Sequence, residues 1–511
     1  MSDSQRDPGA LETRSLWVAT APVPRFGPLS GDARVDVAVV GAGIVGLTTA
    51  LLLRNAGLEV VVLEADEIAA GASSHSTVKV TVGHGLIYSE LRDRYDEDTA
   101  AAYLRANAVG MTTIGSLVRE HGIDCDLEER RHVIYAEDES SLEQVRAEVE
   151  VERDLGLPAE FVAETDLPFP VAGALTLTGQ AQFHPRRYLA GLARAFVAGG
   201  GVIHDATRVF EVDGGSEPSV RAEGGTMAAD HLVLATGIPI ADSKLFFAKV
   251  SPRREYAVAG AVDRASALSD MYYSAGTPGH SLRMAEEGEE SLVIVVGESH
   301  KTGEEAHTES RYAALTGWLE QRFPVHAVRY RWSTQDYDSM DGLPYVGYAG
   351  SGNVLAATGF GGWGMTNGTA AASAIAGLIT GRADEWADIY DVKRHHPVAA
   401  APAFMRENLK VAKHWIGDRL STESIAVGDL GTGEAAVADV VGDTLACFRD
   451  DAGVLHAVSA TCTHLGCLVE WNGAERSWDC PCHGSRFDID GRVLQAPATE
   501  PLAARSVQDT T

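Results

Sequence analysis

Two short loops constrain this chain more than anything else in it: Cys462-Thr463-His464-Leu465-Gly466-Cys467 and Cys480-Pro481-Cys482-His483-Gly484-Ser485, with fifteen residues between His464 and Cys480. Each loop pairs a cysteine with a histidine and adds a second cysteine. A [2Fe–2S] cluster held by two Cys on one iron and two His on the other takes one ligand of each type from each of two loops. Cys462, His464, Cys480 and His483 fit that scheme. Neutral imidazoles in place of anionic thiolates ease reduction, to roughly -150 to +300 mV instead of about -400 mV. A structural zinc site could use the same residue types, although Cys-x-His followed by Cys-x-x-His departs from the usual Cys-x-x-Cys arrangements. Unrelated buried cysteines would have to account for two Cys/His loops that each carry a second Cys and a Gly.

A second constraint lies near the start. Val35 to Val40 reads as a buried strand, Gly41-Ala42-Gly43-Ile44-Val45-Gly46 as a glycine turn, Leu47 to Asn55 as a helix ended by Gly57, and Glu59 to Glu64 as the next strand. The glycines allow a tight turn and close backbone approach to a pyrophosphate at the helix N-terminus. Glu64, eighteen residues after Gly46, can accept hydrogen bonds from a ribose. A second literal G-x-G-x-x-G, Gly359 to Gly364, is not read as another nucleotide site. The helix expected after it, Thr366 to Ile379, runs into Gly381 and a charged segment, not into a strand ending in an acid.

Length and charge bound the rest. A chain of 511 residues is too long for one ordinary core. Its 72 acidic residues against 42 basic ones give a formal charge of -30, which repels phosphate backbones, so no nucleic-acid partner is expected. No run approaches the ~20 apolar residues of a membrane span. Met1 to Arg14 lacks the basic start and apolar core of a signal peptide, and a cytoplasmic location is the expectation. Residues 1–33, punctuated by Pro8, Pro22, Pro24 and Pro28, read as an arm laid on the surface. Charged helices are expected at about 88–121 and 140–155, then short strands and turns through 340. The mixed charged stretch at 386–420 reads as a linker, and short strands with Gly/Asp turns follow it, as in a small all-β module.

Residues 421–511 resemble Rieske domains, in the form found in cytochrome bc complexes. The resemblance implies stacked antiparallel sheets, Cys462, His464, Cys480 and His483 as cluster ligands, and a disulfide between Cys467 and Cys482 that ties the two loops together. Such a disulfide would be unusual in a cytoplasmic protein, although burial beside a cluster would preserve it. The bc-complex subunits have a membrane anchor that this chain does not show, so its electron partner need not be a membrane quinol.

Three later segments carry a second resemblance: the strand His231-Leu232-Val233-Leu234-Ala235-Thr236-Gly237, then Asp341-Gly342-Leu343-Pro344-Tyr345-Val346-Gly347, then Asn353 through Gly368. With the glycine turn, they make residues 34–385 similar to the D-amino-acid oxidase, glycine oxidase and sarcosine oxidase family of FAD-dependent enzymes. The implied architecture is an α/β FAD-binding Rossmann-like domain (about 34–90, 185–240 and 330–385) with an α+β substrate domain between these segments, followed by the small all-β Rieske domain. The resemblance sets FAD against Gly41, Ala42, Gly43, Ile44, Val45, Gly46, Glu64 and Ala65. It adds Ser73, Ser74 and His75 of Gly71-Ala72-Ser73-Ser74-His75, then Val209, Thr236 and Gly237, and Gly361, Gly362, Trp363, Gly364 and Met365. In the family the helix after the last segment points its N-terminus at the flavin ring, where the dipole favours negative charge. His75 matches by spacing the histidine that dimethylglycine dehydrogenases bond covalently to FAD; a noncovalent neighbour is the alternative. His84 and His184 are assigned no catalytic role.

A two-electron flavin and a one-electron cluster on one chain suit electron division: a substrate gives a hydride to FAD, and single electrons leave through the cluster. The family resemblance makes the donor a small-molecule amine or amino acid. The electron acceptor, the catalytic residues and any substrate-binding arginine stay unidentified. An NAD(P)H-fed reductase would need a second complete nucleotide fold. A Rieske oxygenase would need a mononuclear iron site after the cluster, where 28 residues follow His483. A redox sensor or electron-transfer module without turnover is the non-enzymatic alternative.

Overall fold

Val37, Ala38, Val39 and Val40 are buried on both faces of their strand, as residues in the centre of a parallel sheet must be. The computed structural model describes residues 11–215, 217–241, 245–305, 307–350, 352–394, 427–440 and 442–506. Its first sheet runs in the order Tyr345–Tyr348, Val354–Thr358, Gly225–Leu234, Ala33–Val40, Val60–Leu63, Val202–His204. The last five of these pair in parallel. Helix Ile44–Asn55 makes the crossover from Ala33–Val40 to Val60–Leu63 and packs against helix Gly364–Thr380. Gly368 lets them approach closely: a Cβ there would sit 3.1 Å from Ile44 Cγ2 and 3.3 Å from Val45 Cγ2.

The second sheet is mixed and mostly antiparallel, in the order Ala327–Ser339, Val250–Val262, Glu290–Lys301, Ser281–Glu287, Met271–Ser274, Glu128–Ala136, Gly173–Gln182, Lys79–Val80. The expectation that residues from about 330 onward belong to the nucleotide-binding part is corrected here. Through Ser339 the chain pairs with Val250–Val262 in this second sheet, and only from Tyr345 does it join the first.

The C-terminal module has a three-stranded sheet (Ala435–Val440, Asp443–Arg449, Leu455–Ser459) and a four-stranded one (Glu470–Asn472, Ser477–Asp479, Arg486–Phe487, Val493–Gln495), with every pair antiparallel. They close over Phe448, Val458, Trp478 and Phe487. Among the described residues no helix is long and apolar enough to cross a membrane.

Three expectations change. The N-terminal arm does not merely lie on the surface. Ser15 caps a short helix, Leu16–Thr20, which buries Leu16 and Trp17 in the main core, and a bulky indole supplies the area for that. Helices Pro185–Ala198 and Thr308–Arg322 stand where strands and turns were expected. The first carries Pro185 at its first turn and a buried stripe of Leu189, Leu192, Ala193 and Phe196. The expected linker starts too early, because Trp386 and Tyr390 are buried against the core and Arg394 pairs with buried Asp341 at 2.8 Å. The remainder of that linker, 395–420, and residues 421–426 of the expected last domain lie outside the described residues.

Candidate functional site

The first glycine turn is built with no spare volume. A Cβ on Gly41, at φ 104°, would lie 2.5 Å from the Ala235 carbonyl oxygen, and one on Gly46 would lie 1.9 Å from that of Gly41. Helix Ile44–Asn55 starts at Gly43 without a cap from that residue's own side chain, which leaves its dipole, and the amides after that of Ile44, to a ligand. The Ser73 hydroxyl accepts from the Ile44 amide at 3.1 Å, fixing the Gly71–His75 segment across the helix start. Ser15 donates to the Ser74 carbonyl from the N-terminal arm. Glu64 accepts from the amides of Ala42 (2.7 Å) and Asp66 (3.1 Å), and burial pushes its carboxyl upward. Ala65 follows it. The amide of Thr207 donates to the Glu64 carbonyl, so the chain leading to buried Val209 runs beside this strand end.

The second glycine segment converges on the same place. Gly237, at φ 80°, accepts at its carbonyl from Thr358 Oγ1 (2.6 Å), and Thr236 Oγ1 donates to the Ile238 carbonyl (2.5 Å). Gly361 and Gly362 take φ 57° and 88°, and helix Gly364–Thr380 begins after Trp363 with no side-chain cap. Met365 is buried in its first turn. Two helix starts without a side-chain cap from their N-cap residues, one beside glycines where a Cβ would clash (Gly41, Gly46) and one beside glycines held at positive φ (Gly361, Gly362), form a cradle that suits the pyrophosphate and ring of FAD. After Gly381 the chain enters the Glu385–Tyr390 turn, so among the described residues no second nucleotide-binding βαβ unit follows.

His75 stands at the far end of this cradle, its Nδ1 2.9 Å from the Gly71 carbonyl and its own carbonyl accepting from Trp332 Nε1 at 2.8 Å. His84 is a satisfied buried residue. Its ring contacts Tyr103 Oη, the Thr81 carbonyl and Thr366 Oγ1, and burial lowers it to about 3. His184 caps helix Pro185–Ala198 and meets Thr20 Oγ1 at 3.0 Å.

His84, which the sequence singles out without a catalytic role, stacks on Trp363 at 4.6 Å, and two residues that the sequence did not point to join it there, Tyr273 at 5.3 Å and His132 at 6.0 Å. Arg253 reaches the same loop, its Nη2 3.4 Å from where a Gly362 Cβ would be, and it meets Asp338 at 3.3 Å and Glu255 at 3.5 Å. Asp336 accepts from the Gly362 amide at 2.6 Å, and burial pushes its carboxyl up to about 6. Tyr273, His132, Arg253 and Asp336 come from strands far apart in sequence, and strand alternation was the one signal that could have grouped some of them.

The two Cys/His loops are near copies. In each, a glycine at φ 78° (Gly466, Gly484) closes the turn by donating its amide to the carbonyl of the first cysteine. Cys462 and Cys480 are buried side by side, and the Cys480 thiol is the main cause that pulls Cys462 down to about 7. The rings of His464 and His483 lie 5.0 Å apart, and Cys467 and Cys482 form the disulfide joining the loops. Two adjacent thiols and two adjacent imidazoles, one of each from each loop, are the donor set that a [2Fe–2S] cluster of this kind requires.

The cluster loops face the second sheet. Gln335 Nε2 donates to the Gly484 carbonyl at 2.8 Å, and Tyr337 Oη donates to that of Ala496 at 3.1 Å. The Phe247 ring lies 5.0 Å from His483 and 6.3 Å from His464. Burial along Ala327–Ser339 changes phase accordingly: Tyr330 and Trp332 are buried in the core, then Gln335 and Tyr337 on the opposite face, beneath the C-terminal module.

Comparison with known proteins agrees with this division. The model of the FAD dependent oxidoreductase family matches residues 36–378, and that of the Rieske [2Fe-2S] domain matches 422–506. The Bacillus subtilis (strain 168) protein YhfW, named for a Rieske 2Fe-2S iron-sulfur centre, is 33% identical over 492 residues, covering 96% of both chains. Glycine oxidase from Geobacillus kaustophilus superposes with a TM-score of 0.57 at 21% identity, covering 71% of this chain and 99% of its own. L-amino acid deaminase from Proteus vulgaris gives 0.58 at 17%, covering 73% and 100%. These two structures speak to the fold. The chain belongs to the FAD dependent oxidoreductase family and joins to that enzyme domain a Rieske [2Fe-2S] domain.

Proposed function

We propose that this enzyme oxidises an amine or amino acid and sends the electrons through its own Rieske centre to an external one-electron acceptor. FAD in the cradle would take a hydride, with its two electrons, from the carbon beside a neutral substrate nitrogen to leave an iminium, and the [2Fe–2S] cluster would pass those electrons on singly.

The protein's own residues set up the rest. The open start of helix Gly364–Thr380 favours negative charge beside the Gly361–Trp363 loop. Arg253 supplies a cation next to Gly362 that can meet a substrate carboxylate, while Glu255, Asp336 and Asp338 make the surroundings favourable to an amine. Tyr273, His132 and His84 wall the Trp363 side and limit water there.

One observation carries the internal electron route. Val250–Val262 and Ala327–Ser339 form a two-strand layer, with Arg253 opposite Asp336 and Arg254 opposite Gln335. Asp336 touches the Gly362 loop and Gln335 touches the cluster loop, so a single strand layer separates the flavin side from the cluster side. Anaerobic stopped flow with amines and amino acids tests the reading. Flavin bleaching should precede cluster reduction, and the second rate should not depend on protein concentration. A rate that scales with concentration, or a cluster that stays oxidised, overturns it.

A further inference from the structure

Glu475 is the knot of a charge network that spans the two domains. Its carboxylate accepts from Arg254 and Ser333 of the oxidoreductase domain and from Arg486 of the Rieske domain. Arg486 Nε also donates to Asp479 Oδ1 at 2.9 Å, and Asn472 Nδ2 holds the other Asp479 oxygen at 2.9 Å. Asp479 precedes the cluster-loop residue Cys480. Two guanidiniums thus balance two carboxylates, and Arg254 and Asp479 are only 2% and 3% exposed. Charges placed that deep require partners.

Around this network the backbones touch. A Cβ on Gly303 of the oxidoreductase domain would lie 2.6 Å from the Pro481 nitrogen, and one on Gly484 would lie 2.5 Å from Pro252 Cβ. The Ala474 amide donates to Thr308 Oγ1 at 3.0 Å, and Arg208 Nη2 donates to the Val493 carbonyl at 3.1 Å. Glycine on each side of a seam, at the points of closest approach, marks surfaces shaped for one another.

We infer that Glu475 is a positioning residue that clamps the Rieske domain in one docked place, so that electrons reach the cluster with no travel of that domain. The clamp supplies the geometry for the FAD-to-cluster route proposed above, and its kinetic test rests on that reading. The tether alone raises effective concentration without fixing orientation; the buried network fixes it. Removing Glu475 leaves two buried guanidiniums to share Asp479. The docked-to-undocked ratio should then fall on the order of 10²–10³-fold, the usual consequence of breaking a buried pair.

The experiment uses the full-length protein with both cofactors, as wild type, Glu475→Ala and Arg254→Met. Small-angle X-ray scattering should fit the docked arrangement for wild type and show a larger radius of gyration for both variants, while the electron paramagnetic resonance signal of the reduced cluster stays unchanged. In stopped flow, cluster reduction in wild type should not respond to added glycerol. In the variants it should be slower by at least tenfold and should fall with viscosity. Glu475→Gln, which keeps an acceptor for Arg254, should recover part of the rate. A viscosity-dependent wild type, or variants that scatter like wild type, overturns the clamp. If the wild-type cluster is never reduced from substrate, the electron route fails while scattering still decides the clamp. If Glu475→Ala loses its cluster signal, Arg254→Met, on the other domain, decides.

Discussion

Gln335 and Asp336 are consecutive residues of one strand whose side chains reach opposite cofactor loops: Gln335 Nε2 donates to the Gly484 carbonyl at 2.8 Å, and the Asp336 carboxylate accepts from the Gly362 amide at 2.6 Å. Strand alternation alone produces this arrangement. The pair puts one backbone between the flavin cradle and the cluster loop, and the Gln335 contact depends on how closely Gly484 can approach.

Gly484→Ala tests that approach. Its Cβ would lie 2.6 Å from Gln335 Nε2 as well as against Pro252, at a φ of 78°. Gly453→Ala is the control, since Gly453 has φ 81° with nothing within 4 Å. Overpacking of ~1–3 kcal/mol should slow flavin-to-cluster transfer from about fivefold upward in the first variant only. Equal rates in both would remove the seam from the mechanism.

The two cofactor sites should assemble separately, because their residues share no loop. Cys462→Ser should abolish Rieske absorbance and leave FAD bound. Glu64→Ala should weaken FAD retention about tenfold or more, the equivalent of a lost charged hydrogen bond at ~1.5–3 kcal/mol, with the cluster intact. Glu434→Ala, which removes only the acceptor for the Gly431 amide, should do neither. Flavin content and visible spectra of the three purified variants check this.

His75 is proposed as a noncovalent neighbour of FAD, and the test is direct, because the contact of its Nδ1 with the Gly71 carbonyl at 2.9 Å leaves Nε2 as the ring atom through which a covalent bond would form. Acid precipitation should release all yellow colour to the supernatant. A yellow pellet that turns colourless in His75→Ala would reverse the assignment.

The features legible in the sequence are those whose residues are neighbours in the chain. Gly41 to Gly46 and the two Cys/His loops each complete a turn within six residues, so chemistry and spacing coincide. Helix Pro185–Ala198 was missed although Pro185 and its apolar stripe signal it, because it lay inside a stretch dominated by strand signals. The seam could not be read. Glu475, Arg254 and Ser333 are 142 or more residues apart across it, and Gly303 and Gly484 look like any other turn glycine until their neighbours are in place. Trp386, Tyr390 and Arg394 sit in a segment whose charged composition concealed two buried aromatic anchors.

Arg253→Met separates amino acids from plain amines as substrates. In the function proposed above, the guanidinium beside Gly362 is a cation that can meet a substrate carboxylate, and Met keeps much of its volume. For carboxylate-bearing substrates KM should rise about tenfold to a hundredfold, the range of a lost charge-assisted hydrogen bond. KM for uncharged-tail amines should stay within a factor of about two to three. A uniform rise would make Arg253 structural, held by Glu255 and Asp338.

Glu152 makes the protein's stability depend on pH. It is fully buried on helix Glu139–Asp154, both carboxylate oxygens lack a hydrogen-bond partner among the described residues, and Glu148 lies one turn away with its own oxygens taken by Tyr88 and Ser89. Burial, and then the charge of Glu148, hold the Glu152 carboxyl well above its ordinary range. The folded protein therefore keeps a proton there that the unfolded chain releases above about pH 4.3. Stability falls as pH rises from that point and levels off only above the folded value. Glu152→Gln removes the titration while leaving a polar group without partners, whose cost of ~1–3 kcal/mol is the same at every pH. Thermal unfolding of the two proteins should accordingly nearly coincide near pH 4 and diverge as pH rises, the variant becoming the more stable. Parallel curves across that range would mean that Glu152 is ionised and paired in solution.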